Sequence, residues 1–320
     1  MEKIKDLDSY LERVFAEVEK TRTLTEEEKT LFRRRVERGP FMDLRSDWAF
    51  KHLLNDHDVL RKLINDMLPV RVESVELLPN EIDRSFENEK DTTMDVLCRS
   101  KDGEQFVVEV QRRYHSCFAD RMFYYGASMM HTQIQRGKPY QQLRPVFVLC
   151  FMDFSLPHDN DRIIYRYGMR ELLSGERFPF ELGKDLLLIS LCELPRLQKG
   201  ISVDLTPEEK WLLILKNLHT FADKPEGWGE EFDRVFEIAR VSDLPDKEKL
   251  QYYRYMLTNE EKQELYADGM TIGRIEGKME GLKEGKAEGK AEGLKEVARR
   301  MQEAGADQAY IKAMTGIDLN

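Results

Sequence analysis

Asp95, Glu109 and Gln111 are the residues whose types and spacing suit chemistry, and all three fall in the stretch 94–111, MDVLCRSKDGEQFVVEVQ. Glu109 and Gln111 are two apart, so an extended strand puts them on one face. The stretch reads as a β-hairpin turning on Lys101, Asp102 and Gly103, a three-residue loop with glycine in the left-handed position. That loop pairs Met94 with Val110, Val96 with Val108 and Cys98 with Phe106, an apolar face throughout. It also sets Asp95 directly across from Glu109. A two-residue loop on Asp102-Gly103 would pair Val96 with Glu109 and mix the faces. In the favoured register the two carboxylates stand about 5 Å apart at Cβ, and like charges so placed destabilise a sheet unless solvent screens them or a cation lies between them. Two carboxylates and an amide oxygen are hard donors. Mg²⁺ takes such ligands, usually one or two carboxylates, and leaves its other positions to water and substrate phosphate. Phosphodiester cleavage is the chemistry that follows, because the ion acidifies a bound water and stabilises charge in the transition state. The alternative is that the three polar residues are the wet face of a half-exposed hairpin.

The elements around the hairpin must hold these groups in place. In 41–68, FMDLRSDWAFKHLLNDHDVLRKLINDML, apolar residues at helical spacing predict a helix over 48–67, with Ser46 as N-cap and Pro69 as stop. Asp47 and Lys51 lie four apart on it and share a face able to meet the site, or form an ordinary surface pair. A strand over 71–78, the hairpin, a helix over 116–135 and the strand PVFVLCFMDF from Pro145 complete an α-β-β-β-α-β order. RIIYRYGMR and DLLLISLCEL extend the sheet, and three helical segments follow within 207–266, the first opened by a capping box at Thr206 with Pro207 behind it. The organisation read this way is a helical arm over 1–40, itself carrying a capping box at Thr25 to Glu28, and a globular domain over 41–200. A helical subdomain over 201–268, a glycine-repeat segment over 269–296 and a short helical hairpin over 297–320 follow.

Charge separates the possible partners. The chain of 320 residues is 34% charged with net charge -10, so bulk electrostatics attract neither nucleic acid nor an anionic membrane, and such a partner must be met locally. Between Gln111 and Arg144 the balance reverses: Arg112, Arg113, Arg121, Arg136, Lys138 and Arg144 face one acid, Asp120. Tyr114, Phe118, Phe123, Tyr124, Tyr125 and Tyr140 are interleaved with them. Aromatic faces stack on bases while cations meet phosphates, although Phe118, Met122, Tyr125 and Met129 have the helical spacing of a core stripe. The four cysteines are scattered, with no CxxC pair, and MEKIKDLDSY has no apolar leader, which points to a reducing cytosol and a cytoplasmic protein. No apolar run approaches the roughly 18–20 residues that span a bilayer, so a soluble protein with no membrane partner is expected. None of the six histidines has HExxH-type spacing, and zinc is not expected.

From Gly269 to Gly293 a glycine recurs at every fourth residue. Each helical glycine costs about 1 kcal/mol against alanine, which favours a flexible tether. Residues four apart also share a helix face, so a glycine stripe flanked by Glu276, Glu280, Glu284, Glu288 and Glu292 would let two backbones approach and make a homo-oligomer. The last segment reads as two short helices around a glycine turn, either a docking hairpin or the opening of a helix-turn-helix.

The run S-D-W-A-F-K, then M-D-V, V-V-E-V-Q, R-M-F-Y-Y and Q-R-G-K-P-Y, followed by a hydrophobic strand, resembles the Rpn family of recombination-promoting nucleases and transposases within the PD-(D/E)XK nuclease superfamily. The resemblance covers about 41–191, and the glycine-rich tail also fits it. It implies an α/β, restriction-endonuclease-like core (αβββαβ, a mixed sheet flanked by helices) with a helical C-terminal extension. DNA would be the substrate and Mg²⁺ or Mn²⁺ the cofactor. Asp95 matches the superfamily's metal-binding Asp and Glu109 its second acidic ligand, while Gln111 stands where the superfamily has Lys. The function implied is a metal-dependent DNA endonuclease associated with recombination or transposition; the alternative is a weak or inactive DNA-binding, oligomeric scaffold on the same fold. A lysine at position 111 would orient or deprotonate water and steady the leaving charge, which neutral Gln cannot do. Three outcomes stay open: Gln111 positions water while the metal supplies acidity, a cation such as Lys51, Lys90 or Arg112 substitutes, or turnover is slow or absent.

Overall fold

A continuous apolar run is what a strand covered on both faces requires, and in the computed structural model all seven residues of Val146–Met152 (β4) are buried. The structure describes residues 7–20, 23–26, 29–30, 33, 39–79, 94–134, 139–157, 160–179, 185–257, 293–303 and 306–317. The chain forms two compact units, 1–265 and 266–320.

In the first unit, six strands among the described residues make one mixed sheet in the order β1-β2-β3-β4-β6-β5. They are Val75–Leu77 (β1), Val96–Ser100 (β2), Gln105–Gln111 (β3), β4, Ile164–Tyr167 (β5) and Leu187–Glu193 (β6). β3, β4 and β6 run parallel, and the remaining pairs are antiparallel. The hairpin has the register expected from its apolar face, Val96 opposite Val108 and Cys98 opposite Phe106, and Gly103 turns it with φ +89°. A parallel neighbour needs a crossover. Here it is the helix Phe118–Gln133 (α4), which links β3 to β4 and packs Phe118, Met122, Tyr125 and Met129 onto Val107, Val148 and Cys150.

The opposite face of the sheet carries the larger core, built with Asp47–Leu54 (α2), His57–Met67 (α3) and Pro207–Asn217 (α5). Leu7–Glu19 (α1) adds Leu11, Val14, Phe15 and Val18 to the same core. Asp233–Ile238 (α6) and Asp246–Leu257 (α7) complete this side, and Thr206 with Glu209 forms the expected capping box. This is the α/β arrangement of a restriction-endonuclease-like core.

Two expectations are corrected. The helix expected over 48–67 is two helices, because the Asp56 side chain accepts the backbone N–H groups of Asp58 and Val59 and caps a new helix. The alternative of a wet hairpin face fails for Glu109, which is only 2% exposed on the side that α4 packs against, while Asp95 and Gln111 are half-buried at a cleft. In the second unit, residues 293–303 are helical and precede Gln308–Thr315 (α8), with Ala298 and Ile311 buried. The glycine repeat over 269–289 and Glu28, the far member of the box at Thr25, lie outside the described residues.

Candidate active site

Asp95 directly precedes β2, and Glu109 lies near the carboxyl end of β3, so the Val96–Val108 register carried one residue further brings them face to face. Two hydrogen bonds lock the pair. The Asp95 backbone N–H donates to Glu109 Oε1 (2.8 Å), and the Val110 N–H donates to Asp95 Oδ2 (2.9 Å). Each carboxylate is therefore tied to the backbone of the other's strand at the sheet's end. From α2, Lys51 Nζ lies 2.8 Å from Asp47 Oδ1 and 3.3 Å from Asp95 Oδ1. α2 is aimed there by its cap, Ser46 Oγ accepting the Ala49 N–H, and by Phe50, whose ring meets Phe151 of β4 edge-on at 6.3 Å.

The amide of Gln111 links the pair to the other layer. Its Nε2 donates to Glu109 Oε2 (3.2 Å), while its Oε1 accepts from Arg121 Nη2 on the first turn of α4. Arginine has only donors, which fixes the amide's orientation. The amide oxygen expected to face an ion is thus turned to Arg121. Arg121 also lies over the Tyr125 ring, 6.0 Å from guanidinium carbon to centroid, and its Nε is buried without a hydrogen-bond partner.

Burial raises both acids. Asp95 is pushed up to about 7 by desolvation, then by the neighbouring Asp47 carboxyl, against the opposing pull of Lys51. Glu109 is pushed up to about 8 by desolvation and then by the Asp95 charge, with Arg121 and Lys51 opposing. For Lys51, burial works against the ammonium, but Asp47 and Asp95 outweigh it and raise its pKa. The site is a crowded set of acids held apart from full ionisation, which is the state a cation relieves. A divalent ion fits this donor set. Asp95 lines a cleft of about 220 Å³ and Glu109 lies behind it, its two oxygens accepting from the Asp95 N–H and from Gln111 Nε2; both are hard oxygen donors of the kind Mg²⁺ or Mn²⁺ would take. Among the described residues no group of three or more His, Cys, Asp or Glu side chains is placed to hold a metal ion, so the carboxylates offered to one here are the pair alone.

Asp95, Glu109, Gln111, Lys51 and Asp47 are thus brought together. Arg112, Arg113 and Arg121 line the cleft, whereas Arg136, Lys138 and Lys90 lie outside the described residues. Arg45, His115 and Tyr255 also line it and were not picked out from the sequence. Arg45 grips buried Asp43 with two bonds of 2.9 Å and reaches Asp153, just past β4, at 3.1 Å. Its position depends on the helical segment after the sheet: the Asp43 N–H donates to Tyr252 Oη, and Met42 and Val241 exchange backbone bonds with Ala239 and Pro40. The one signal for Arg45 was its place directly before the Ser46 cap. Tyr255 came from a helix remote in sequence, with no signal.

Residues 44–268, well over half of the chain, match the family model of the PD-(D/E)XK nuclease family transposases. No curated protein and no solved structure gives a significant match. The matched span holds the hairpin with its carboxylate pair, the cation-bearing helices on either side and the helical segment that anchors Arg45. On that match the chain belongs to the PD-(D/E)XK nuclease family transposases.

Proposed function

We propose that this protein is a Mg²⁺- or Mn²⁺-dependent DNA endonuclease acting in recombination or transposition, in a reducing cytosol. The observation that supports this reading is the mutual tethering of Asp95 and Glu109 through the two bonds of 2.8 and 2.9 Å, with Asp95 on a cleft walled by cations. Asp95 and Glu109 hold the ion. When bound, it would acidify a water and stabilise the charge that develops on phosphorus. Lys51 partly offsets the burial that favours the neutral form of Asp95 and balances the site before the ion arrives. Arg112 and Arg113, on the cleft wall, meet backbone phosphates, as Arg136 and Lys138 do in the same basic stretch. The glycine repeat joins copies of the chain into a homo-oligomer.

The test is nicking of supercoiled plasmid with Mg²⁺, Mn²⁺, Ca²⁺ or chelator, wild type beside Asp95→Ala. Nicking is expected with Mg²⁺ or Mn²⁺ and not with chelator. A metal ligand contributes several kcal/mol at the transition state, so Asp95→Ala should lose activity by a factor on the order of 10²–10⁴. Equal nicking by the variant would remove the assigned role. Gln111 favours a second reading, a DNA-binding scaffold on a decayed nuclease fold. Salt-sensitive DNA binding with no product under any metal would establish that one instead.

A further inference from the structure

Position 111 carries no charge, yet the site does not lack a second cation. Arg121 comes from the opposite layer, on α4, and its Nη2 donates to Gln111 Oε1. The other end of that amide donates to Glu109 Oε2 at 3.2 Å. The guanidinium lies over the Tyr125 ring, one turn further along α4, at 6.0 Å. Its Nε is buried with no hydrogen-bond partner among the protein atoms, an arrangement that a surface phosphate contact would not produce, since such a side chain extends into solvent. The Tyr125 ring and the amide would both be satisfied by a neutral donor.

We propose that Arg121 is a positioning residue which replaces the missing charge of residue 111 by acting through the Gln111 amide. It fixes the amide with its nitrogen on Glu109, which holds that carboxylate toward Asp95, and it polarises the amide N–H that Glu109 accepts. In this chain the cation has moved from β3 to α4, and Gln111 is the neutral link that the move requires. The inference rests on the reading of Asp95 and Glu109 as the ligand pair, and the experiment separates the two.

Four proteins are compared: wild type, Arg121→Gln, Gln111→Lys and the double variant Gln111→Lys/Arg121→Gln. In steady-state cleavage with Mn²⁺, Arg121→Gln should lower kcat roughly 10- to 100-fold, as loss of a residue that orients a metal ligand does, with KM for DNA unchanged. The double variant, which puts the charge back on β3, should recover most of that loss. A rise in KM at constant kcat would overturn the proposal, since Arg121 would then be a direct phosphate contact. So would a double variant no more active than Arg121→Gln. The second readout needs no metal and no activity. In the metal-free full-length protein, Gln111→Lys places an ammonium against the guanidinium and should lower the melting temperature by about 2–4 °C, while the double variant regains it. Additive melting shifts would overturn the pairing even in an inactive enzyme. Undetectable cleavage by wild type with the coupled melting shifts intact would instead count against the nuclease reading while leaving the Arg121–Gln111 pairing standing.

Discussion

The chemistry of this site is decided by what burial does to two carboxyl groups. Asp95 is raised to about 7 and Glu109 to about 8, and both values lie above the ordinary carboxyl range. The neutral forms therefore favour the folded state: that contribution is complete below about pH 4 and is lost as pH rises through 7 to 8. Metal-free protein should melt at a lower temperature at pH 9 than at pH 6, and Glu109→Gln should remove most of the difference. Because an ion binds the ionised ligands, added Mn²⁺ should raise the melting temperature more at pH 8 than at pH 6. Thermal scans across this range check both statements, and a flat profile would refute them. At this scale the sequence was informative about types and register. The alternation in 94–111 already placed Asp95 against Glu109, since a shift of one residue would have exposed the whole apolar set. It could not show that Glu109 is buried, because burial of that face depends on α4, whose packing is a tertiary matter. Nor did it show the turn of the Gln111 amide, which Arg121 sets from ten residues away in sequence.

At the level of elements, the site is a sheet end closed by one helix from each layer. α2 brings Asp47 and Lys51, and α4 brings Arg121. The Phe50 ring, fully buried against Phe151, fixes where α2 lies. Phe50→Ala should cost about 3–5 kcal/mol in stability by leaving a cavity. It should also lower cleavage at temperatures where the variant is still fully folded, because Lys51 loses its register with Asp95. Denaturant unfolding beside cleavage assays measures both, and a destabilised variant of normal activity would separate α2 from the site. The order of elements was legible because strands and helices differ in period: the seven apolar residues of β4 and the stripe of Phe118, Met122, Tyr125 and Met129 each admit one reading once set in sequence. The break between α2 and α3 was not, since Asp56 stands in a pattern that remains helical on both sides and only its bonds to Asp58 and Val59 reveal the cap. Arg45 was missed for the opposite reason: its place is set by Tyr252, Ala239 and Pro40, contacts spanning some two hundred residues of chain.

Across the whole molecule, a net charge of -10 must be reconciled with the nucleic-acid substrate proposed for it. Four cations, Arg45, Arg112, Arg113 and Arg121, line the cleft beside Asp95, where the proposal needs them. Among the described residues no helix is long and apolar enough to cross a membrane. The proposed assembly through the glycine repeat predicts a mass in solution that grows with concentration. Gly281→Lys with Gly285→Lys should reduce the full-length chain to monomer, and analytical ultracentrifugation showing unchanged assembly would acquit the repeat. The claim on which all of this depends is that Asp95 and Glu109 jointly hold one divalent ion, and calorimetric titration of Mn²⁺ into the full-length protein at pH 8 tests it most directly. Saturable binding is predicted for wild type, with affinity lost in Asp95→Asn and in Glu109→Gln although both variants remain folded. Binding that persists unchanged in the two variants would contradict the account.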